Sequence, residues 1–309
     1  MDFIKRILRK PEPSAVPLPF SGLFPPGHYH STIPDPGDVA EGLKSPAPAP
    51  GALSGIDFRT EAQEALFHEF EKHYSDLPFP QNKTNGFRFY YENEFFSYSD
   101  AFFLFCFLRH EKPRRIIEVG SGFSSALMLD TVDRYFTQKP EMTFIEPHTG
   151  RLRELLFEND LKNCRLIEMP VQKVPLTEFE SLKSGDLLFI DSSHVSKYGS
   201  DVNHLLFNVL PKLAPGVFVH FHDIFHAFEY PDRWLREGWY WNECYLLRAF
   251  LTRNCEWPIY FFNNYIAQIF KEQIRQTMPV CARVAGGSLY LRKAALTESA
   301  AEDSGGDSS

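Results

Sequence analysis

No run of apolar residues in this sequence is long enough to cross a bilayer as a helix, which excludes a helical membrane span. There is no C-x-x-C pair, so neither a redox dithiol nor a cysteine zinc site is indicated. The five cysteines, at 106, 164, 244, 255 and 281, are odd in number and scattered, as expected of reduced thiols in a cytoplasmic protein. Positive charge is also short. With 32 Lys and Arg against 40 Asp and Glu, the net charge is −8, and no basic stripe offers a broad nucleic-acid footprint. No internal repeat is visible, and the first ten residues are too short and too charged for a secretory signal. What the sequence does have is aromatic residues. Its 30 Phe and 13 Tyr in 309 residues imply a thick core or an aromatic-lined cavity.

Composition divides the chain. Residues 1–10 place Phe3, Ile4, Ile7 and Leu8 on one helical face among Lys5, Arg6, Arg9 and Lys10. They read either as a weak membrane-surface contact or as a short helix packing on the domain or on nothing. Eleven prolines between Pro11 and Pro50 favour extended chain, so residues 1–55 are expected to be an arm or linker. Residues 56–112 read as a helical cap, with an apolar face at Ala62, Ala65, Leu66 and Phe70 and a second, almost wholly apolar helix from Ser99 or Asp100 to Arg109. The α/β domain spans 113–296, and the acidic, small-residue stretch 297–309 is expected to be disordered.

The most informative segment is Arg114–Ser124, R-R-I-I-E-V-G-S-G-F-S. Ile116, Ile117 and Val119 form a short buried strand, and Gly120 and Gly122 remove side chains where the backbone turns beside a ligand. A helix follows. Ser125 stands where a dinucleotide fingerprint has its third glycine, which turns the segment away from pyrophosphate binding. Strands and helices then alternate: strands at Arg115–Val119, Met142–Ile145, Cys164–Glu168, Asp186–Ile190 and Val217–Phe221, with helices at 124–136, 149–159, about 176–183 and 199–210. Such alternation predicts an α/β fold with a mostly parallel sheet, whose ligands bind beyond the carboxyl ends of the strands. Those ends carry Gly120-Ser121-Gly122, then Glu146, then Glu168 to Gln172, then Asp191-Ser192-Ser193-His194, then His222-Asp223. A carboxylate at Glu146 suits two ribose hydroxyls.

On these residues the chain resembles the class I S-adenosylmethionine (SAM) methyltransferases from about Pro113 to Arg292, and most of all the small-molecule branch whose fourth strand ends F-I-D-x-x-H, here Phe189 to His194. Leu210 to His220 resembles the family's run through Pro-Gly into the fifth strand, and Gly286 to Arg292 its last strand. The resemblance implies a Rossmann-like fold: a mostly parallel seven-stranded sheet with helices on both faces and an antiparallel last strand. It implies SAM as cofactor, with Glu118, Gly120, Ser121, Gly122 and Ser124 around the methionine part, Glu146 on the ribose, and Asp191 at the cofactor as well. Met169-Pro170-Val171 departs from the family's usual adenine-contacting pair, which leaves adenine to Gln172 or to backbone.

Methyl transfer from a sulfonium is an in-line displacement, so the protein mainly aligns the reactants. A hydroxyl acceptor also needs help to lose its proton. Asp191, His194, His222 and Asp223 are the candidate catalytic residues. Either a histidine acts as base, or Asp191 and Asp223 hold a divalent ion such as Mg, although Ile224 follows Asp223 where metal-dependent relatives carry a second ligand. His220, inside the fifth strand, reads as a hydrogen-bonded core residue. Residues 224–265 form an insertion rich in aromatics, Trp234, Trp239, Tyr240, Trp241 and Tyr245 among them, and read as a lid, a mini-core or a dimer contact. Tyr90 to Phe96 would supply the opposite wall. The preferred function is O-methylation of a small hydroxylated or sugar-like molecule. The alternatives are a metal-dependent hydrolase or oxygenase on the same fold and a non-catalytic SAM-fold module.

Overall fold

The computed structural model describes residues 23–96 and 98–295. The amphipathic residues 1–10 and the acidic residues 297–309 lie outside the described residues. Seven strands form one sheet: β1 Arg115–Val119, β2 Glu141–Ile145, β3 Cys164–Ile167, β4 Leu187–Ile190, β5 Phe218–Phe221, β6 Ile259–Phe262 and β7 Leu289–Arg292. Their order is β3-β2-β1-β4-β5-β7-β6. The first five run parallel, and β7 pairs antiparallel with both β5 and β6. This is the Rossmann-like arrangement expected, with the chain reversing its direction of travel across the sheet between β1 and β4. Strands with both faces covered must be apolar throughout; Ile116, Ile117, Leu187, Leu188 and Phe189 are all fully buried.

β6 lies within residues 224–265, so that stretch is not insertion from end to end. Ile259-Tyr-Phe-Phe262 takes the edge beside β7, with an irregularity between Ile259 and Phe261. The helices expected over 149–159 and 199–210 are also broken. The first stops at Leu155 and resumes at Asp160–Asn163, where Asp160 accepts from the Phe157 amide at 2.7 Å. The second is one turn, Asp201–His204, followed by a π-type turn at Leu205–Val209.

Part of the aromatic excess packs ahead of the sheet: α1 (Thr60–Glu71) holds Phe67 and Phe70, and α2 (Tyr98–Glu111) holds Tyr98, Phe102, Phe103, Phe105 and Phe107, while α3 (Phe123–Tyr135) follows β1. Every residue of α2 from Tyr98 to Leu108 is buried, and its Phe107 stacks on Tyr290 of β7 at 4.9 Å. Phe70 of α1 meets Phe103 of α2 and Phe261 of β6 edge-on or tilted. One buried cation ties the cap to the sheet domain. Arg88 is paired with Asp130 at 2.9 Å and with Asp160 at 2.5 Å, while Asp130 also accepts the backbone amides of Arg88 and Phe89.

The described residues fall into two compact units. In the smaller, residues 23–46 and 232–240, helix Pro36–Gly42 is started by Asp35, whose carboxylate accepts the Gly37 amide at 2.7 Å, and by proline at the first helical position. Trp234 stacks on Trp239 at 5.3 Å in the same unit. The stretch expected as an arm is therefore partly helical, and its residues 47–55 belong to the larger unit, where Leu53 is buried. Among the described residues no helix is long and apolar enough to cross a membrane.

Candidate active site

The turn after β1 is set by contact with the turn after β4. Gly120 has φ +80°, and a Cβ there would lie 1.7 Å from the carbonyl oxygen of Asp191, so only glycine fits. The Asp191 amide in turn donates to Val119 at 2.9 Å. Glu146, at the end of β2, accepts the Ser121 amide at 3.1 Å and the His148 amide at 2.6 Å, one on each carboxylate oxygen. Gly120, Glu146, Gln172, Asp191 and Ser192 line one cavity of about 400 Å³ together with Ile145, Val171 and Lys197. That volume falls within the range of about 300–1,000 Å³ for small-molecule sites. Gln172 is exposed at its edge and donates to the Gly199 carbonyl at 2.9 Å. The Ser192 hydroxyl on its wall has no hydrogen-bond partner.

Glu118 and Ser124, expected around the ligand, are brought together beneath the loop instead. Glu118 is fully buried and accepts from the hydroxyls of Ser124, at 2.6 Å, and Ser125. Burial pushes its carboxyl up to about 8, with the serine hydroxyls pulling the other way. It pins the start of α3 to the end of β1 and does not line the cavity. Gly122 belongs to the same fastening, its amide donating to Ser125 Oγ at 3.0 Å.

Beside the cavity, Asp191, His194 and Asp223 place one ligand-type atom each within 4.8 Å of one another. His194 Nε2 is 3.3 Å from Asp191 Oδ1 and 3.6 Å from Asp223 Oδ2, and its Nδ1 is 2.9 Å from Glu243 Oε2. His194 and Asp223 both sit in the left-handed backbone region, at φ +58° and +57°. Such strain costs on the order of 1–3 kcal/mol at each residue and gathers at functional sites. Burial disfavours the charged His194 ring, yet Asp191 and Glu243 outweigh it and hold the ring well above its ordinary value. Asp191 is raised by burial but lowered more by His222 and His194, ending below the usual carboxylate range. Asp223 is pushed up to about 6, chiefly by burial.

His222 stands next to this group. Its Nε2 is 3.8 Å from Asp223 Oδ1, its ring lies 4.9 Å from Phe96, and its buried Nδ1 has no partner. His220 is a core residue, as expected, but not a hydrogen-bonded one. It stacks on Phe189 at 3.9 Å with neither ring nitrogen partnered, and burial lowers it well below its ordinary value, so it is neutral.

Glu243 belongs to none of the strand-end motifs, although a helix read from Asn242 to Leu251 turns it toward the rim, and it joins the site. It begins helix α4 (Glu243–Leu251), is 1% exposed, and meets His194 across 49 residues of sequence. Its sequence signal is an acid in the first turn of an amphipathic helix.

A sheet ordered β3-β2-β1-β4-β5-β7-β6, with a glycine turn at its switch point and acids at the ends of β2, β4 and β5, is a Rossmann-like α/β fold whose cavity lies beyond the carboxyl ends of the strands. Residues 117–224 match the family profile described as a methyltransferase domain. An uncharacterised protein of Archaeoglobus fulgidus is 35% identical over 169 residues, covering 52% of this chain and 74% of that protein. Two solved structures are similar at lower identity. The S-adenosylhomocysteine (SAH)-bound methyltransferase PaMTH1 of Podospora anserina is 16% identical, with 77% of this chain and 94% of that one covered, at TM-score 0.43. The SAM-bound O-methyltransferase TomG of Streptomyces achromogenes is 15% identical, with 75% and 90% covered, at TM-score 0.40. By that profile, residues 117–224 carry a methyltransferase domain.

Proposed function

We propose that the protein methylates a hydroxyl of a small molecule, and that Asp191, His194 and Asp223 hold a divalent ion of the Mg type where the acceptor reacts. The observation that carries this reading is the meeting of three ligand atoms from the ends of β4 and β5, within 4.8 Å, beside the cavity. Oxygen and imidazole donors fit such an ion. Bound there, it would supply a Lewis acid that eases loss of the acceptor's proton. His194 carries a proton as it stands, so it is a poor free base at neutral pH and must release that proton to act as a ligand. Asp191 belongs both to the cavity wall and to the donor group, so cofactor and acceptor meet at one residue.

In the cofactor cavity, Gly120 and the turn it opens through Ser121 and Gly122 would lie toward the methionine part, Glu146 would take the ribose, and Gln172 or nearby backbone the adenine. Glu118 and Ser124 would hold the loop in shape. Residues 56–112 and the aromatic residues from Trp241 onward would frame the acceptor. The five cysteines are free, four of them buried, which suits the cytoplasm.

A metal-free form of the same chemistry is favoured by the place of Asp223, whose carboxylate lies 3.6 Å from His194 and 3.8 Å from His222 and is pushed up to about 6 chiefly by burial. There the acceptor oxygen attacks the methyl carbon, the carbon–sulfur bond breaks to release SAH, and the proton ends on Asp223. Titration calorimetry on SAM-loaded protein separates the two. The metal-assisted form expects Mn²⁺ binding that Asp191→Asn weakens at least tenfold. Wild-type protein that binds SAM, takes up no divalent ion and methylates a hydroxylated acceptor in EDTA leaves only the metal-free form.

A further inference from the structure

The geometry points to Glu243 as a positioning residue of the methyl-transfer site: its carboxylate fixes which nitrogen of His194 faces Asp191 and Asp223. The inference rests on the reading that this rim is where the acceptor reacts, but not on whether an ion is bound there.

An imidazole has two nitrogens, and in the neutral ring only one carries hydrogen. A carboxylate accepts and does not donate, so Glu243 Oε2, 2.9 Å from Nδ1, requires the proton on Nδ1. The ring's second proton lies on Nε2, toward Asp191 and Asp223 at 3.3 and 3.6 Å, and it is this proton that leaves when the ring becomes neutral, freeing the Nε2 lone pair in the space they share. Both a metal ligand and a proton acceptor need that orientation.

The rest of the contact is built to hold it. The amides of Asn242 and Glu243 both donate to the His194 carbonyl at 3.1 Å, so the start of α4 grips backbone and ring together. The Trp241 ring lies 4.4 Å from the His194 ring and covers it. This grip keeps His194 at φ +58°, a conformation that costs free energy unless its surroundings impose it. Glu243 Oε1 is buried with no partner, which a carboxylate kept only to brace a helix start would not need to tolerate. Its compensation is the imidazole it orients.

The test uses full-length, SAM-loaded protein with ¹⁵N-labelled histidine, recorded at alkaline pH where the ring is neutral. Wild type is expected to carry the proton on Nδ1. Glu243→Gln, whose amide can donate, is expected to move it wholly or partly to Nε2. The same substitution should weaken Mn²⁺ binding, read by electron paramagnetic resonance, about 10–100-fold. SAM affinity should stay within error, while the thermal midpoint falls because the buried His194 ring loses its charged partner. A merely structural role would lower the midpoint just as much but leave the tautomer alone. Glu243→Asp keeps the charge and should keep the proton on Nδ1. Wild-type protein with the proton on Nε2 overturns the proposal without any variant, and so does Glu243→Gln with an unchanged tautomer. If wild type binds no Mn²⁺, the metal-assisted reading fails and the tautomer alone decides for Glu243.

Discussion

Gly120 and Asp191 hold the two halves of the site in contact: a Cβ at position 120 would stand 1.7 Å from the Asp191 carbonyl oxygen. Gly120→Ala must therefore push the β1 and β4 turns apart, as well as strain a backbone at φ +80°. The expected result is a loss of about 1–3 kcal/mol in stability from the strain alone, with SAM affinity reduced more than tenfold. Calorimetric titration of SAM beside a urea melt checks both. Unchanged SAM affinity in the folded variant would remove this turn from the cofactor site.

Glu146 fastens the glycine turn through the Ser121 amide and lines the cavity. Hydrogen bonds to a charged group contribute about 1.5–3 kcal/mol each. Glu146→Ala should therefore weaken SAM binding on the order of tenfold to a hundredfold, and Glu146→Gln somewhat less. Affinity measured with SAH reports the same site without turnover.

Glu118 makes the fold sensitive to alkali. Its folded value of about 8 stands above an ordinary 4.5, so the folded state binds the extra proton between those values. The associated stability is fully present below about 4.5 and is lost as pH rises through about 8. Wild-type protein should lose on the order of a few kcal/mol between pH 5 and pH 9 through this group, and Glu118→Gln should flatten that part of the curve. Urea melts at the two pH values give the comparison, and parallel pH dependences would contradict it.

Arg88 is matched by Asp130 and Asp160 in a buried ion cluster. Removing one member leaves buried charge uncompensated, at about 3–5 kcal/mol. Arg88→Leu should lower the unfolding free energy by about that much. A loss under about 1 kcal/mol would mean that the cap is held by its phenylalanines alone.

The first five strands were legible because each is a short apolar run closed by a turn residue, and the strand ends then followed from the topology. β6 was not, since Ile259 to Phe262 differs little from the aromatic stretch around it and a short edge strand has no periodicity to show. Glu118 illustrates another limit. A strand-end acid can point into the turn or beneath it, and the deciding hydroxyls of Ser124 and Ser125 lie on the first turn of the next helix. The partners of Arg88 stand 42 and 72 residues away, and Glu243 is 49 from His194; only folding brings such pairs together.

The central claim is that Asp191, His194 and Asp223 form a cation-assisted methyl-transfer site beside the SAM cavity. Anomalous diffraction from crystals grown with SAH and Mn²⁺ tests it most directly. The account predicts SAH against Gly120 and Glu146, with a manganese peak bonded to Asp191, His194 and Asp223. SAH seated in that cavity with no anomalous peak at those three residues would contradict it.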